Sequence, residues 1–223
     1  MSLLRGRVDP GRDERPEPVP GGWAKRALDV VVAATGIALL GPLMLAILLL
    51  IRLTSPGPAL FRQTRIGIGR QPFVMYKFRT MRPDADPTVH LEFVRRLLAG
   101  EQEAVDGLYK LDGDDRITKV GAFLRRTSLD ELPQLVNVLR GHMSVVGPRP
   151  VLPTELTLLP DWADPRFRVL PGVTGLWQVS GRNRLTMLEG LAIDVDYAVR
   201  RSVWLDVMVI LRTVPALLSQ QAR

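Results

Sequence analysis

The longest apolar run in the chain, VVVAATGIALLGPLMLAILLLI from Val30 to Ile51, has no charged residue in 22 positions. At about 1.5 Å per helical residue, that length matches a hydrocarbon layer of about 30 Å. Basic residues flank it on both sides, Lys25 and Arg26 before it and Arg52, Arg62, Arg65 and Arg70 after it. Cationic flanks are retained on the cytoplasmic side of a membrane, so the pattern asks for both ends on one face. Gly41-Pro42 falls in the middle, where proline removes a helix hydrogen bond and crowds the preceding turn. A re-entrant hairpin broken at Pro42 satisfies both features, and the alternatives are a kinked spanning helix or a buried core hairpin. No small-residue cleavage site closes the run, so a secretory signal is a poor match.

The period changes downstream. TSPGPALFRQTRIG reads as a turn-rich link followed by a strand, and QPFVMYKFRTM as a second strand with Phe73, Met75 and Phe78 apolar. Residues 82–116 are charged and dotted with Gly and Asp, which predicts a variable insertion with one helical patch at LEFVRRLLAG. ITKVGAFLRRT and LDELPQLVNVLRG carry apolar residues at helical spacing. HMSVVGPRPVLP predicts a short buried strand entering a Pro-locked loop, and LPGVTGLWQVSGRN a turn and strand. From Thr186 the chain is helical, and SVWLDVMVILRTVPALL is too apolar on all sides for a solvated helix. Residues 1–22, rich in Pro, Gly and charge, are expected to form a flexible tail. The organisation expected is tail 1–22, membrane hairpin 23–53 and catalytic domain 54–223, in an α/β (α+β) fold with C-terminal membrane-surface helices.

Composition narrows the chemistry. Net charge is +7 and there is no cysteine, so thiolate catalysis, disulfides and cysteine zinc sites are excluded. With only His90 and His142, a histidine-rich metal site is hard to build; carboxylates would hold any metal, which points to magnesium or manganese. The basic excess favours an anionic partner: nucleic acid, lipid headgroups or a phosphorylated substrate.

The stretch RRTSLDELPQ, residues 125–134, carries the densest chemistry. Ser128-x-x-Glu131 before an apolar run is a capping box, an ordinary structural explanation. It leaves Asp130 unexplained, and Pro133 would interrupt a helix capped at Ser128. A helix start attracts phosphate, and a carboxylate beside arginine stays ionised, which suits a nucleophile aimed at phosphorus. Asp130 reads as that nucleophile, and Glu131 as a base or magnesium ligand. Lys77 and Arg79 alternate along a strand and would point the same way; they are either a solvated face or a phosphate grip. Arg149 lies between Pro148 and Pro150 in GPRP, a simple turn or a pre-positioned phosphate ligand. No P-loop, dinucleotide fingerprint or serine-hydrolase motif is present. His142 receives no role.

Taken in order, KRALD before the broken apolar run, SPGPALFRQTRIG, YKFRTM, RRTSLDELPQLVNVLRGHMSVVGPRP, PGVTGLWQVSGRN and WLD resemble the bacterial sugar transferase family, the monotopic phosphoglycosyl transferases. The resemblance runs from about Trp23 to the end. It covers the catalytic part only, and a 22-residue leading segment is not expected to hold the membrane-helix bundle of larger members. It implies transfer of a sugar-1-phosphate from a UDP-sugar to undecaprenyl phosphate, giving undecaprenyl-diphosphate-sugar and UMP, with Mg2+ required. It implies Asp130 as nucleophile forming a phosphosugar intermediate, Glu131 as its partner in metal binding or proton handling, and Arg125, Arg149, Lys77 and Arg79 as phosphate ligands. Asp130 and Glu131 are then the metal-binding pair. It favours the re-entrant hairpin, with membrane lipids as partners and the domain on the cytoplasmic face of the bacterial inner membrane. It leaves room for a homodimer. Gly41-Pro42 departs from the family's usual Ser-Pro, and His142 stands where an acidic residue is common. A nucleic-acid partner is not expected, because the basic residues are not interleaved with stacking aromatics. A lipid-phosphate phosphatase and a non-catalytic basic membrane scaffold are the alternatives, and the transferred sugar is not legible.

Overall fold

The computed structural model describes residues 22–82, 92, 95, 96, 116–180 and 185–221. The expected tail lies outside these residues except at Gly22, as does nearly all of the expected insertion. The ends of that insertion meet: Arg82 N–H donates to the Arg116 carbonyl at 2.8 Å, and Met81 bridges Ile117. Arg82 and Arg116, which flank residues 83–115, therefore lie side by side.

Helix α1 runs unbroken from Gly22 to Thr54 with Pro42 inside it. A separate break at Pro42 was expected; the element is instead one 33-residue helix. Its body-facing residues, Lys25, Asp29, Ala33, Ile47 and Ile51, are buried, whereas Val31, Leu39, Leu45, Leu49 and Leu53 are more than half exposed. It is the one helix among the described residues that is long and apolar enough to cross a membrane, and only 11% of its most apolar window is buried.

Strands β1 (Leu60–Ile66) and β2 (Pro72–Phe78) form an antiparallel ribbon, Leu60 opposite Phe78 and Ile66 opposite Pro72. Pro72 is tolerated because it opens its strand. Helix α2 (Lys119–Thr127) ends where Ser128 takes the left-handed conformation at φ 56°. A single 3-10 turn, Leu129–Glu131, then leads through Pro133 into α3 (Gln134–Leu139). Strands β3 (Ser144–Val146) and β4 (Gly172–Thr174) pair in parallel. Between them lie the Pro148–Pro150 segment and a 3-10 stretch, Asp161–Arg168. The strand expected through LWQV is not there: β4 stops at Thr174 and a short helix, α4 (Leu176–Val179), follows. Helices α5 (Met187–Arg200) and α6 (Val203–Gln221) close the fold.

The core joins Ala33 of α1 to Met75, Leu135, Val138, Met143, Val145, Val146, Tyr197 and Val209. Asn137, fully buried, ties α3 to the free edge of β2: its Nδ2 donates to the Val74 carbonyl at 2.6 Å and its Oδ1 accepts from Tyr76 N–H at 3.0 Å. In an antiparallel ladder alternate residues face alternate edges, so Val74 and Tyr76 present the groups that β1 does not use, and one amide side chain pairs both.

Candidate active site

The Asn137 clip sets the distance between β2, which carries Lys77, and the turn before α3, which carries Glu131. Lys77 Nζ lies 2.8 Å from Glu131 Oε1, with both side chains about one-fifth exposed. This pair lies in a cleft of about 240 Å3 whose walls include Arg65, Gln134, Arg149 and Gln178. Three cations and one carboxylate thus line one concave surface. Arg65 reaches it from β1, where Nη1 donates to the Pro150 carbonyl at 3.1 Å and Gln63 Oε1 accepts from Nη2 at 2.7 Å. The Arg65 pKa is lowered to about 10, chiefly by burial and next by the neighbouring Arg149 charge, against the opposing pull of Glu155 and Glu131. Two arginines held close enough to repel each other are what an incoming phosphate relieves.

The residues singled out from sequence divide. Lys77, Glu131 and Arg149 come together in the cleft lining, while Asp130, Arg125 and Arg79 are not part of that lining. Asp130 is buried, one residue before Glu131 on the same turn. Arg125 is half-buried in the last turn of α2. Lys77 and Arg79 do not share a face: β2 ends at Phe78, and the buried Arg79 turns to Ser55, donating to its Oγ at 2.6 Å and its carbonyl at 3.0 Å. The capping box expected at Ser128 and Glu131 is absent. Ser128 makes no side-chain cap, because it sits in the left-handed region that ends α2, and the Glu131 carboxylate goes to Lys77 instead. The segment is a helix end followed by one turn, not a helix start, so the helix-terminus argument for phosphate does not apply at Asp130.

Arg65, Gln134 and Gln178 were not singled out from sequence as site residues. RQTRIG and LPQ held the first two, but only the Ile66–Val151 pairing, which brings β1 to the GPRP segment, puts Arg65 beside Arg149.

For a divalent cation, the described residues hold no cluster of three or more His, Cys, Asp or Glu. Asp130 and Glu131 are adjacent carboxylates on one turn, but only Glu131 lines the cleft, and its carboxylate is paired with Lys77.

The family model for bacterial sugar transferase matches residues 21–220. The exopolysaccharide production protein ExoY of Rhizobium meliloti (strain 1021) is 43% identical over 196 residues, covering 88% of this chain and 86% of that protein. The UDP-glucose:undecaprenyl-phosphate glucose-1-phosphate transferase of Caulobacter vibrioides is 45% identical over 204 residues, covering 87% and 70%. The undecaprenyl-phosphate galactose phosphotransferase of Salmonella typhimurium is 39% identical over 200 residues, 88% of this chain but 40% of that protein.

Proposed function

Because the chain belongs to the bacterial sugar transferase family, we propose that it moves a sugar-1-phosphate from a UDP-sugar to undecaprenyl phosphate, as a step of exopolysaccharide or glycoconjugate assembly. The observation that carries this reading is the cleft in which Arg65, Lys77 and Arg149 converge on Glu131, with Asp130 next to it on the same turn. Both substrates are phosphates, and cations held in a partly desolvated cleft stabilise charge that develops on phosphoryl oxygens. In this reading an Asp130 oxygen attacks the phosphorus bearing the sugar. The bond from that phosphorus to the bridging oxygen breaks, and UMP leaves with the electron pair. An oxygen of undecaprenyl phosphate then attacks the same phosphorus and the Asp130 carboxylate departs. Lys77 and Arg149 hold the diphosphate, and Lys77 also orients Glu131. Magnesium bound by Asp130 and Glu131 would supply charge neutralisation to the diphosphate.

A membrane-associated, monotopic arrangement is supported by where α1 is held. A straight run from Lys25 to Ile51 is about 40 Å long, so a crossing would put them on opposite sides of the bilayer. Yet Lys25 bonds Ser144 and Asp206, while Ile51 packs with Ala59, Phe78 and Leu124 of the same body. Contact of both ends with one body supports an arrangement in which they stay on one side of the bilayer with the exposed apolar face in lipid. Trp23 and Trp204, 85% and 73% exposed, suit the interfacial belt. The domain then faces the cytoplasm, the side on which the basic flanks are retained.

The deciding experiment is UMP release by the membrane-embedded protein from a panel of UDP-sugars, with Mg2+ and with or without undecaprenyl phosphate. Lipid-dependent UMP that vanishes in Asp130→Asn is the expected result. Lipid-independent inorganic phosphate would indicate a phosphatase, and a silent panel would remove the enzyme reading. Glu131, which lines the cleft where Asp130 does not, is the rival nucleophile. Peptide mapping of the phosphosugar adduct separates the two.

A further inference from the structure

Arg149 lies between two prolines, and the way its peptide groups are held reaches outside the cleft. Pro148 and Pro150 fix their own φ, so the soft torsions that aim the Arg149 side chain are its own φ and ψ. The two groups that report those torsions are its N–H and its C=O, and both are captured by one buried ion pair. Arg166 Nη2 donates to the Arg149 carbonyl at 2.7 Å and to Asp194 Oδ2 at 2.7 Å. Asp194 in turn accepts from the Arg149 N–H. The side chains of Arg166 and Asp194 are each 2% exposed. Arg166 comes from the Asp161–Arg168 stretch and Asp194 from α5, so two elements remote from the cleft close on one peptide.

We propose that Asp194 and Arg166 are positioning residues for Arg149, holding its guanidinium in the cleft while Asp194 is ionised and releasing it when Asp194 takes a proton. The inference rests on the transferase reading for its rate readout, though not for its binding readout. Nε and Nη1 of Arg166 have no partner among the described residues, so loss of the Asp194 charge leaves a buried guanidinium held by a single carbonyl. The charged groups acting on Asp194 are Arg166 and Arg149. Helix α4, which packs on α5, carries no charged residue. Burial raises the Asp194 carboxyl to about 6, with both arginines acting to lower it. The release is therefore centred near pH 6.

The test compares full-length wild type, Asp194→Asn and Arg166→Lys in nanodiscs, measuring UMP release and, separately, UMP binding by calorimetry from pH 5 to 8. Substrate phosphates also titrate near pH 6, but equally for every protein, so the ratio of wild type to variant isolates the clamp. At pH 7.5 Asp194→Asn should slow turnover about ten- to a hundredfold, the scale of a misplaced substrate-positioning group. That ratio should fall toward one as pH drops to 5. A ratio independent of pH, whatever its size, overturns the proposal. If Asp194→Asn does not fold, Arg166→Lys carries the test, since lysine keeps the charge but cannot bridge both partners. Wild-type turnover with a wild-type acid limb in that variant overturns the clamp. Should wild type release no UMP, the transferase reading fails by itself and the binding arm decides. A pH-dependent affinity ratio then sustains the clamp, and a constant one overturns it.

Discussion

Replacing Asn137 with leucine tests whether one side chain sets the spacing of the cleft. The amide makes two bonds to β2, to the Val74 carbonyl and from the Tyr76 N–H, and the residue is fully buried. Leucine removes both partners while leaving the backbone groups in place and partly buried. Each orphaned group costs about 1–3 kcal/mol, so the variant should lose about 4 kcal/mol in total. That is a large fraction of a typical domain's 5–15 kcal/mol, where these figures are roughly the usual range. Urea unfolding in mild detergent, followed by fluorescence of the buried Trp177, reads the loss as a lower midpoint with unchanged slope. Release of β2 from α3 also frees Lys77 from Glu131, so UMP release should fall more than the folded fraction does. A leucine variant within about 0.5 kcal/mol of wild type would refute the clip, since the range for substitutions without a structural role is of that size.

Lys77→Met should cut UMP release about 10²- to 10³-fold, as loss of one donor to a developing oxyanion does elsewhere. Stability should change by less than about 1 kcal/mol, because the pair with Glu131 is partly solvated; a stability loss as large as the activity loss would contradict a catalytic role. Gly172→Ala places a methyl 2.1 Å from Gly147 N and 2.2 Å from Thr174 O, so β3 and β4 must part. The cost should reach about 3 kcal/mol, and a thermal midpoint equal to wild type would show that the crossing yields. For Asp194, burial raises the folded carboxyl to about 6 from its ordinary 3.8. Its contribution to stability is therefore present below pH 3.8 and is lost as pH rises through 6. The stability of wild type relative to Asp194→Asn should decline by about 3 kcal/mol over that window, read from paired melts at pH 4 and 7.5. Chelation with EDTA should abolish UMP release and added Mg2+ restore it; turnover indifferent to EDTA would remove the metal from the scheme.

Local pattern reached the β1–β2 ribbon, the buried strand at SVV and the helix opening at Thr186, because each is specified by neighbours in sequence. The failures share a cause. Ser128-x-x-Glu131 and Thr186-x-x-Glu189 have the same spacing, yet only the second forms a capping box. At Ser128, Pro133 stops the following helix from growing back, and Lys77, 54 positions away, claims the glutamate. A long-range ion pair decides what a four-residue motif becomes. Parity along a strand misplaced Arg79 because the strand ends one residue earlier. Arg65 read as a membrane flank because its value to the cleft depends on a bridge between Ile66 and Val151, 85 residues apart. Arg166 and Asp194 carried no motif at all; only the fold brings them to Arg149.

The buried ion networks solve a problem that the proposed membrane setting creates. If the outer face of α1 lies in lipid, then apolar contact with the body gains little over apolar contact with acyl chains, and hydrophobicity cannot choose how the helix docks. Directional bonds can. Lys25 Nζ meets Asp206 at 2.8 Å and Asp29 at 3.3 Å; Asp29 accepts from Val145 N–H and Ser144 Oγ, each at 2.9 Å; and Tyr197, its pKa pushed up first by burial and then by Asp206, donates to Asp206 at 2.7 Å. These bonds fix the register of α1 against β3, α5 and α6 at once. A helix slipped by one residue would leave buried charges unpaired, a penalty of several kcal/mol that no apolar repacking offsets. The strand pinned by this latch, β3, runs directly into Pro148–Pro150. The Arg166–Asp194 pair takes hold of the same segment from its other side. Helix α1 and Arg149 are thus tied to one short strand. In the proposed membrane setting, the position of the cleft relative to the lipid would be set by paired charges in the interior and not by the apolar face of α1.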